Sequence, residues 1–451
     1  MHIRYYCLIA LMYCAVFAGC AAQNQDVFLA DQRKLGREFA TFVPPKKFSD
    51  NQTSPVIAPE AAGSLTLQQA LATGLMHSPE LASFAWDVRA AEARELQAGL
   101  LPNPELSTEV ENFGGNNEMQ GFKSAETTVQ VSQLFELGGK RGYRKRAAEL
   151  EKNLAGWEYE IKRLDVFEKI STAFWEVLAA QERTAIAESL LKLAEQSCSS
   201  VAEQVAVGKA PPVEEVQAKI ALTTTELQCK KIKSDLQSSR SRLAEALGTS
   251  GPIFEKAEGR FDAVAPLPEL DKLQAALAES PDMLRWKAEI EKRQAEVKLK
   301  DAGALPDITV SAGPRYFNDT NDKALVMGFS VPIPLFNRNQ GERQEARCNA
   351  AKAEEEQKAG FIKTRSDLTQ TYQSCSSAFA LAAALRDRSI PGAVLAFEAA
   401  QEGYRQGKFS YLMALDAQRT LFELKQQYVD TLADYHANRA ALERLVGQSI
   451  Q

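Results

Sequence analysis

The stretch FSVPIPLFNRNQGER, Phe329 to Arg343, changes character twice. It begins as alternating apolar and small or polar residues, meets Pro332 and Pro334, and after Gly341 becomes charged and alanine-rich in a helical pattern. Proline has no N–H for a strand ladder and forces the residue before it to be extended. The prolines therefore stop a strand and turn the chain into a long helix. VSQLFELGGKRG, Val131 to Gly142, is a second such join at an offset of 200, with Gly138 and Gly139 in the redirecting role.

Working outward from the joins, the rest of the chain repeats as well. SPELASFAWDVRAAEARELQAGLLPNPELST (Ser78–Thr108) matches SPDMLRWKAEIEKRQAEVKLKDAGALPDITV (Ser280–Val310) at an offset of 202. Gly208-Lys209 corresponds to Gly407-Lys408, and Gly248 to Gly447, both at 199. Internal similarity at a fixed period marks a duplicated structural unit. Each unit predicts a helix (Leu65–Leu101, Leu270–Gly303) and two strands (Glu105–Phe113 with Glu126–Leu134; Asp307–Phe317 with Ala324–Ile333). A very long helix follows (Arg141–Val207, Gln340–Gln406), then a glycine turn and a return helix (Val213–Leu247, Tyr411–Val446), with a kink expected at Pro391. The corresponding organisation is a signal at 1–19, an extended arm at 20–63, repeats at 64–248 and 270–447 around a linker at 249–269, and a tail at 448–451.

In the long helices apolar residues recur at threes and fours, from Leu150 and Leu154 to Phe174 and Leu178, the spacing of a coiled coil. The strands carry a period of two. Leu325, Met327, Phe329 and Val331 share one face, with Val326, Gly328 and Ser330 opposite; Val129 and Val131 share another, with Thr128, Gln130 and Ser132 opposite. One apolar and one polar or small face fits a membrane barrel, with Phe113, Phe122, Tyr316 and Phe317 placed for an aromatic girdle. Four strands cannot close a barrel, and an open sheet in lipid leaves backbone groups unpaired. Several copies must share one sheet: two copies give eight strands and three give twelve.

The N-terminus, MHIRYYCLIALMYCAVFAGCAAQNQ, reads as a secretory signal, with Ala18-Gly19-Cys20 resembling a lipobox whose cysteine, Cys20, becomes lipid-modified. A net charge of −6 argues against a nucleic-acid partner. The only histidines are His2, His77 and His436, and no HExxH, CxxC or P-loop motif occurs. The reading is therefore no catalytic site, no cofactor and no metal site. Cys198, Cys229, Cys348 and Cys375 lie 10, 21, 59 and 32 residues from the turn glycine of their own repeat. Those heights are too unequal for a disulfide, so four free, mostly buried thiols are expected.

The two joins, ELGGKRGYRKRAAE and VPIPLFNRNQGE, together with the turn GKFSYLMALDAQRTL, resemble the outer membrane efflux proteins, the TolC-like family, and most closely its CzcC-type heavy-metal branch. The resemblance covers about residues 64–447. It implies a mainly α fold with a membrane β-barrel: a homotrimer with four strands and long coiled-coil helices per protomer, forming a twelve-stranded barrel and an α-helical periplasmic tunnel. The implied partners are a periplasmic adaptor (membrane fusion protein), an inner-membrane RND transporter and outer-membrane lipid. The implied cargo is a cation of the Co/Zn/Cd/Ni class; drug efflux, type I secretion or a pore-free coiled-coil scaffold lipoprotein are the competing readings.

The resemblance makes Gly208 and Gly407 the periplasmic tips. Glu214 and Glu215 follow Pro211-Pro212 in the first turn of the return helix, where carboxylates suit the helix dipole. Relatives carry acidic residues six and nine positions after the second tip glycine; here these are Met413 and Asp416, leaving one carboxylate ring. At an assumed spacing of ~8 Å and an effective dielectric of about 20, each Asp416 pair repels by about 2 kcal/mol, which favours passing cations. Asp416 could instead pair with Arg419, and Arg405 and Arg419 could hold the mouth shut through ion pairs to neighbouring helices.

Overall fold

The structure, a computed structural model, describes residues 34–45 and 62–450; the signal, Cys20 and most of the arm lie outside the described residues. The predicted strands form one antiparallel sheet. It contains β2 (Glu105–Glu111), β3 (Glu126–Phe135), β5 (Ile308–Phe317) and β6 (Asp322–Ser330), in the order β2-β3-β5-β6. The two repeats thus meet at the centre, β3 on β5, and β2 and β6 are left as open edges.

From the sheet hang α3 (Lys140–Ala206), its return helix α4 (Pro212–Ala246), α7 (Gln340–Ala384) with α8 (Ile390–Arg405), and the return helix α9 (Tyr411–Val446). At 1.5 Å per residue α3 is about 100 Å long. It survives because its apolar row is covered: Tyr159, Leu164, Ile170, Phe174 and Leu178 are all buried, each large apolar side chain contributing about 1.5–3 kcal/mol. Shorter helices α2 (Pro79–Ala98) and α6 (Pro281–Ala302) pack beside the long ones, α2 on α3 and α6 on both α3 and α7. The helical layer runs α4, α3, α9, α7/α8, with α4 resting mainly on α3 and α7/α8 on α9.

Two sequence expectations need correction. The helices expected at Leu65–Leu101 and Leu270–Gly303 are each broken, into α1 (Leu67–His77) and α2, and into α5 (Leu270–Leu277) and α6. The breaks fall at Ser78-Pro79 and Ser280-Pro281; the residue before proline avoids the helical region, and Ser78 is extended at ψ 116°. Two short strands went unread. β1 (Ala62–Thr66) pairs in parallel with β4 (Phe254–Glu258), so the segment read as a linker joins the end of the arm in a small sheet. The kink expected at Pro391 is present, as a five-residue π-helical turn, Leu385–Ser389. Proline removes one N–H and crowds the preceding turn, and the widened turn absorbs the mismatch.

The layer has two unlike sides. A belt covers one of them. Gly259 lies against Phe174 and Leu178, and the Gln181 amide bonds both backbone groups of Ala257 at 2.9 Å. His436 Nε2 donates to the Phe261 carbonyl at 2.8 Å while its ring stacks on Trp175. Leu35, in the described part of the arm, joins the belt: its N–H bonds the Gly447 carbonyl and its own carbonyl accepts from buried Arg163 at 2.7 Å. On the opposite side of α3 stand Asp165, Glu168, Thr172 and Glu176, lining a groove of about 490 Å³ with Ser239, Arg242 and Glu245 of α4. The expected tail is not loose: Ile450 is buried among Leu273, Leu277 and Leu442.

Candidate functional site

The pairing register makes the two faces of the sheet explicit. One rung aligns Leu106, Val131, Ala312 and Met327, and the next on that face ends in Val129 beside Thr108. Although apolar, this face is uncovered: Leu106, Leu325, Met327 and Phe329 are 72%, 73%, 71% and 82% exposed. The other face presents Ser132, Ser311 and Gly328 on one rung and Glu109, Thr128, Arg315 and Ala324 on another. Arg315 bonds Thr128 at 2.8 Å and Glu126 at 2.9 Å and pairs with Glu111, so carboxylates outnumber bases there. Phe113 and Phe122 stack at the turn end, and the Tyr316 hydroxyl bonds Asn321.

The joins differ in detail from the sequence reading. β6 stops at Ser330, five residues short of its repeat counterpart β3, which continues to Phe135. Pro332 and Pro334 lie in the irregular segment that follows, where Ile333, Leu335 and Phe336 are exposed. Gly138 and Gly139 have φ of 68° and 71°; the left-handed residue of the second join is Asn339, at 59°. Asparagine tolerates that region better than other side chains, a signal the proline pair overshadowed. The first join is fastened by Asp307, which accepts from the Leu137 N–H and from Lys140; the second by the Asn339 amide on the Lys300 carbonyl.

Both tips end in the same turn. Gly208 and Gly407 each have φ 72°, and the next lysine N–H reaches back to the Gln204 or Gly403 carbonyl at 2.8 Å. A residue with a Cβ would be strained there. Glu214 accepts a hydrogen bond from Tyr404 at 3.3 Å, tying the first hairpin to the second; burial and the Glu214 charge push the Tyr404 hydroxyl up to about 12. Glu215 pairs with Lys219, and Arg405 with Glu402, each on its own helix. Asp416, Met413 and Arg419 are exposed, and no ion pair joins Asp416 to Arg419 among the described residues. The sequence reading missed Tyr404 and Tyr411, which pack the two hairpins together with Val201, Ala218 and Leu415.

Asp416 begins a line. Glu423 and Asp430 follow at seven-residue intervals, then Asp434, all exposed on the side of α9 away from belt-holding Tyr435 and His436. Asp430 and Glu176 share Arg183, at 2.7 and 2.8 Å. Burial raises the acid pKa of Glu168 and of Asp434, the latter helped by Asp430. Among the described residues no group of three or more His, Cys, Asp or Glu side chains is arranged to hold a metal ion. The four cysteines among the described residues are free; Cys229 and Cys375 are buried, Cys198 half-buried and Cys348 exposed, fewer buried than expected. Desolvation pushes the Cys375 thiol up to about 11.

A family model described as outer membrane efflux protein matches residues 67–249 and 272–448. The chain belongs to that family. It is 36% identical over 403 residues to the cobalt-zinc-cadmium resistance protein CzcC of Cupriavidus metallidurans, covering 89% of this chain and 94% of that one. The nickel and cobalt resistance protein CnrC of the same species is 29% identical over 287 residues, covering 63% and 67%. Among solved structures, the Campylobacter jejuni CmeC outer membrane channel superposes with a TM-score of 0.73 at 16% identity, over 85% of this chain and 86% of that one. The fold is that of the TolC-like channels, and the resemblance to the CzcC-type branch stands.

Proposed function

We propose that this protein is the outer-membrane exit duct of a tripartite RND-type system exporting heavy-metal cations of the Co/Zn/Cd/Ni class. The carrying observation is the sheet: an uncovered apolar face, a polar acidic face and two unpaired edges. Lipid satisfies the first, water the second, and only further strands satisfy the third. Three copies give twelve strands. The helices then continue the pore into the periplasm, where the tips meet an adaptor and, through it, an inner-membrane transporter. Lipid on Cys20 adds a second hold on the membrane.

The acidic line from Asp416 through Glu423 to Asp430 and Asp434 supports a cationic cargo, and Asp416 is assigned to the pore lining at the tip, with Gly208, Gly407, Glu214 and Tyr404 holding the mouth. The names of the CzcC and CnrC relatives point to the same cargo. A deletion strain grown on a metal panel and a drug panel tests the proposal. Sensitivity to cobalt, zinc, cadmium or nickel, restored by the wild-type gene, supports it; sensitivity to drugs alone overturns the cargo, and a chain that forms no pore in bilayers overturns the duct. Replacing Asp416→Ala should lower cation selectivity in reconstituted channels; unchanged conductance and selectivity would remove Asp416 from the lining.

A further inference from the structure

The belt crosses the seam between the two repeats, where α3 packs on α9. Three side chains fasten it. At one end the Gln181 amide of α3 bonds both backbone groups of Ala257. At the other the Tyr435 hydroxyl of α9 accepts from the Ala265 N–H at 3.1 Å and donates to its carbonyl at 2.8 Å. Between them His436 of α9 holds the Phe261 carbonyl through Nε2. Residues 258–264 thus form a strap pinned at both ends and at its middle. Histidine is the side chain whose ordinary ionisation falls between about pH 5 and 8, so the middle pin alone is placed to respond to mild acid.

The middle pin is dry. His436 is 4% exposed, with Trp175 stacked on its ring at 3.9 Å between centroids, Tyr435 edge-on at 5.2 Å and Phe261 at 5.6 Å. To donate to the carbonyl Nε2 must carry the proton of the neutral ring, and the ring makes no second hydrogen bond among the described residues. A further proton on Nδ1 therefore puts a charge where no acceptor and little water reach it. The charged groups around the ring do not offset this. Arg439, one turn on along α9, repels it, and is itself bonded to Glu443 and to the Ile450 carbonyl of the tail. In the belt, Asp262 acts on Arg386 and Tyr428. On α3, Glu182 lies with Asp262 and Phe261 along a groove of about 360 Å³. The Trp175 face attracts a cation, but burial outweighs it and holds the His436 pKa below the ordinary 6.5. A small shift of Phe261 would admit water from the groove to the ring.

We propose that His436 is a pH-sensitive pin: in mild acid it takes up a second proton, displaces Phe261 to gain water, and frees the strap 258–264 from the α3–α9 seam while Gln181 and Tyr435 keep its ends in place. The open strap binds this proton more tightly than the closed one. Closure is therefore complete above pH 6.5 and weakens as pH falls through the lowered value.

Hydrogen exchange of the full-length protein in detergent, at about pH 7.5 and pH 5 and corrected for the intrinsic pH dependence of exchange, tests the pin. One proton taken up per opening allows up to about tenfold per pH unit, so amides 258–264 should exchange about tenfold faster at the lower pH. His436→Gln, whose amide can still donate to the Phe261 carbonyl but does not ionise, should show no such rise. Ala257 and Ala265 should stay protected in both proteins. An equal rise in both, no rise in the wild type, or release that spreads to Ala257 and Ala265 overturns the proposal. Should the strap of His436→Gln be open at both pH values, the wild type decides by itself. Its Trp175 emission, taken as the difference from Trp175→Phe, should then titrate with a midpoint below 6.5. A midpoint at or above 6.5, or no titration, overturns the pin.

Discussion

The repeat equivalents α3 and α7/α8 share a pattern but not a position. α3 is central: it packs on α2, α4, α6 and α9, and twenty of its side chains are buried. α7 and α8 lie at the rim, with six and two buried. The same exchange occurs in the sheet, where β3 is central and its counterpart β6 is an edge. Centre and rim are consequences of laying two copies of one unit side by side. Each kind of element is once enclosed by its own chain and once left at the rim.

The difference can be broken hardest at Gly313, in the central strand β5. A Cβ there would sit 1.9 Å from the Val129 carbonyl of β3, so Gly313→Val must part the two repeats. We expect no folded channel in the membrane, by heat-modified gel mobility. Gly328→Val, on rim strand β6, meets only the Ser311 hydroxyl at 2.9 Å, which can rotate away; folding should persist. Equal damage from both substitutions would erase the distinction between centre and rim.

Next in size is Arg444 on α9, which bonds Asp165 at 2.7 Å and Asp282 at 3.0 Å and so ties α3 of the first repeat to α9 and α6 of the second. Its loss leaves the partly buried Asp282 carboxylate without its charged partner and frees the more exposed Asp165, a cost of about 1–3 kcal/mol. Arg444→Ala should therefore lower the denaturation midpoint sharply. Arg386→Ala, at the rim and in an exposed bridge to adjacent Asp387, should leave the midpoint almost unchanged.

Glu168 sharpens the comparison through pH. Burial raises its pKa above the ordinary 4.5, against the pull of Arg444. The folded protein thus holds this proton more tightly than the unfolded chain, and stability falls as pH rises from about 4.5 through the folded value. Glu168→Gln should melt higher than wild type at pH 7, with the gain gone at pH 4; a gain that is equal at both would assign it to packing.

The smallest effect is expected at the tip. Tyr404→Phe removes the partly buried bond to Glu214 and should cost about 0.5–1.5 kcal/mol locally. Hydrogen exchange should quicken around Gly208 and Gly407 and remain unchanged at Phe174 in the belt. Uniform exchange along the chain would mean the hairpins are not tied there.

Much of this was legible in order along the chain. The period-two pattern of Leu325, Met327 and Phe329 located a strand and its apolar face, and the threes and fours from Leu150 to Leu178 located a covered helix, because both periodicities are geometric properties of a single element. The Ser-Pro pairs at 78–79 and 280–281 mark the repeat in the sequence and in the structure also break the helices. β1 and β4 were invisible for another reason: AGSLT and FEKAE are five-residue strands that gain stability only from each other across nearly two hundred residues. At the candidate site, Gly208 and Gly407 stand out by spacing and type and Asp416 through the family resemblance, whereas Tyr404, Tyr411 and Arg183 acquire meaning only from helices brought beside them.

By itself the sequence determined the two-fold unit, the identity of its elements, the faces of its strands and the turns at Gly208 and Gly407, since local backbone preference and side-chain period act within one segment. Only the tertiary structure decided that β3 pairs with β5, that α3 and α9 take the centre, and that the belt and the acidic line occupy opposite sides. The reason is that two near-identical units offer near-identical local signals. Which copy of each element is enclosed and which is left at the rim depends on contacts between segments far apart in the chain.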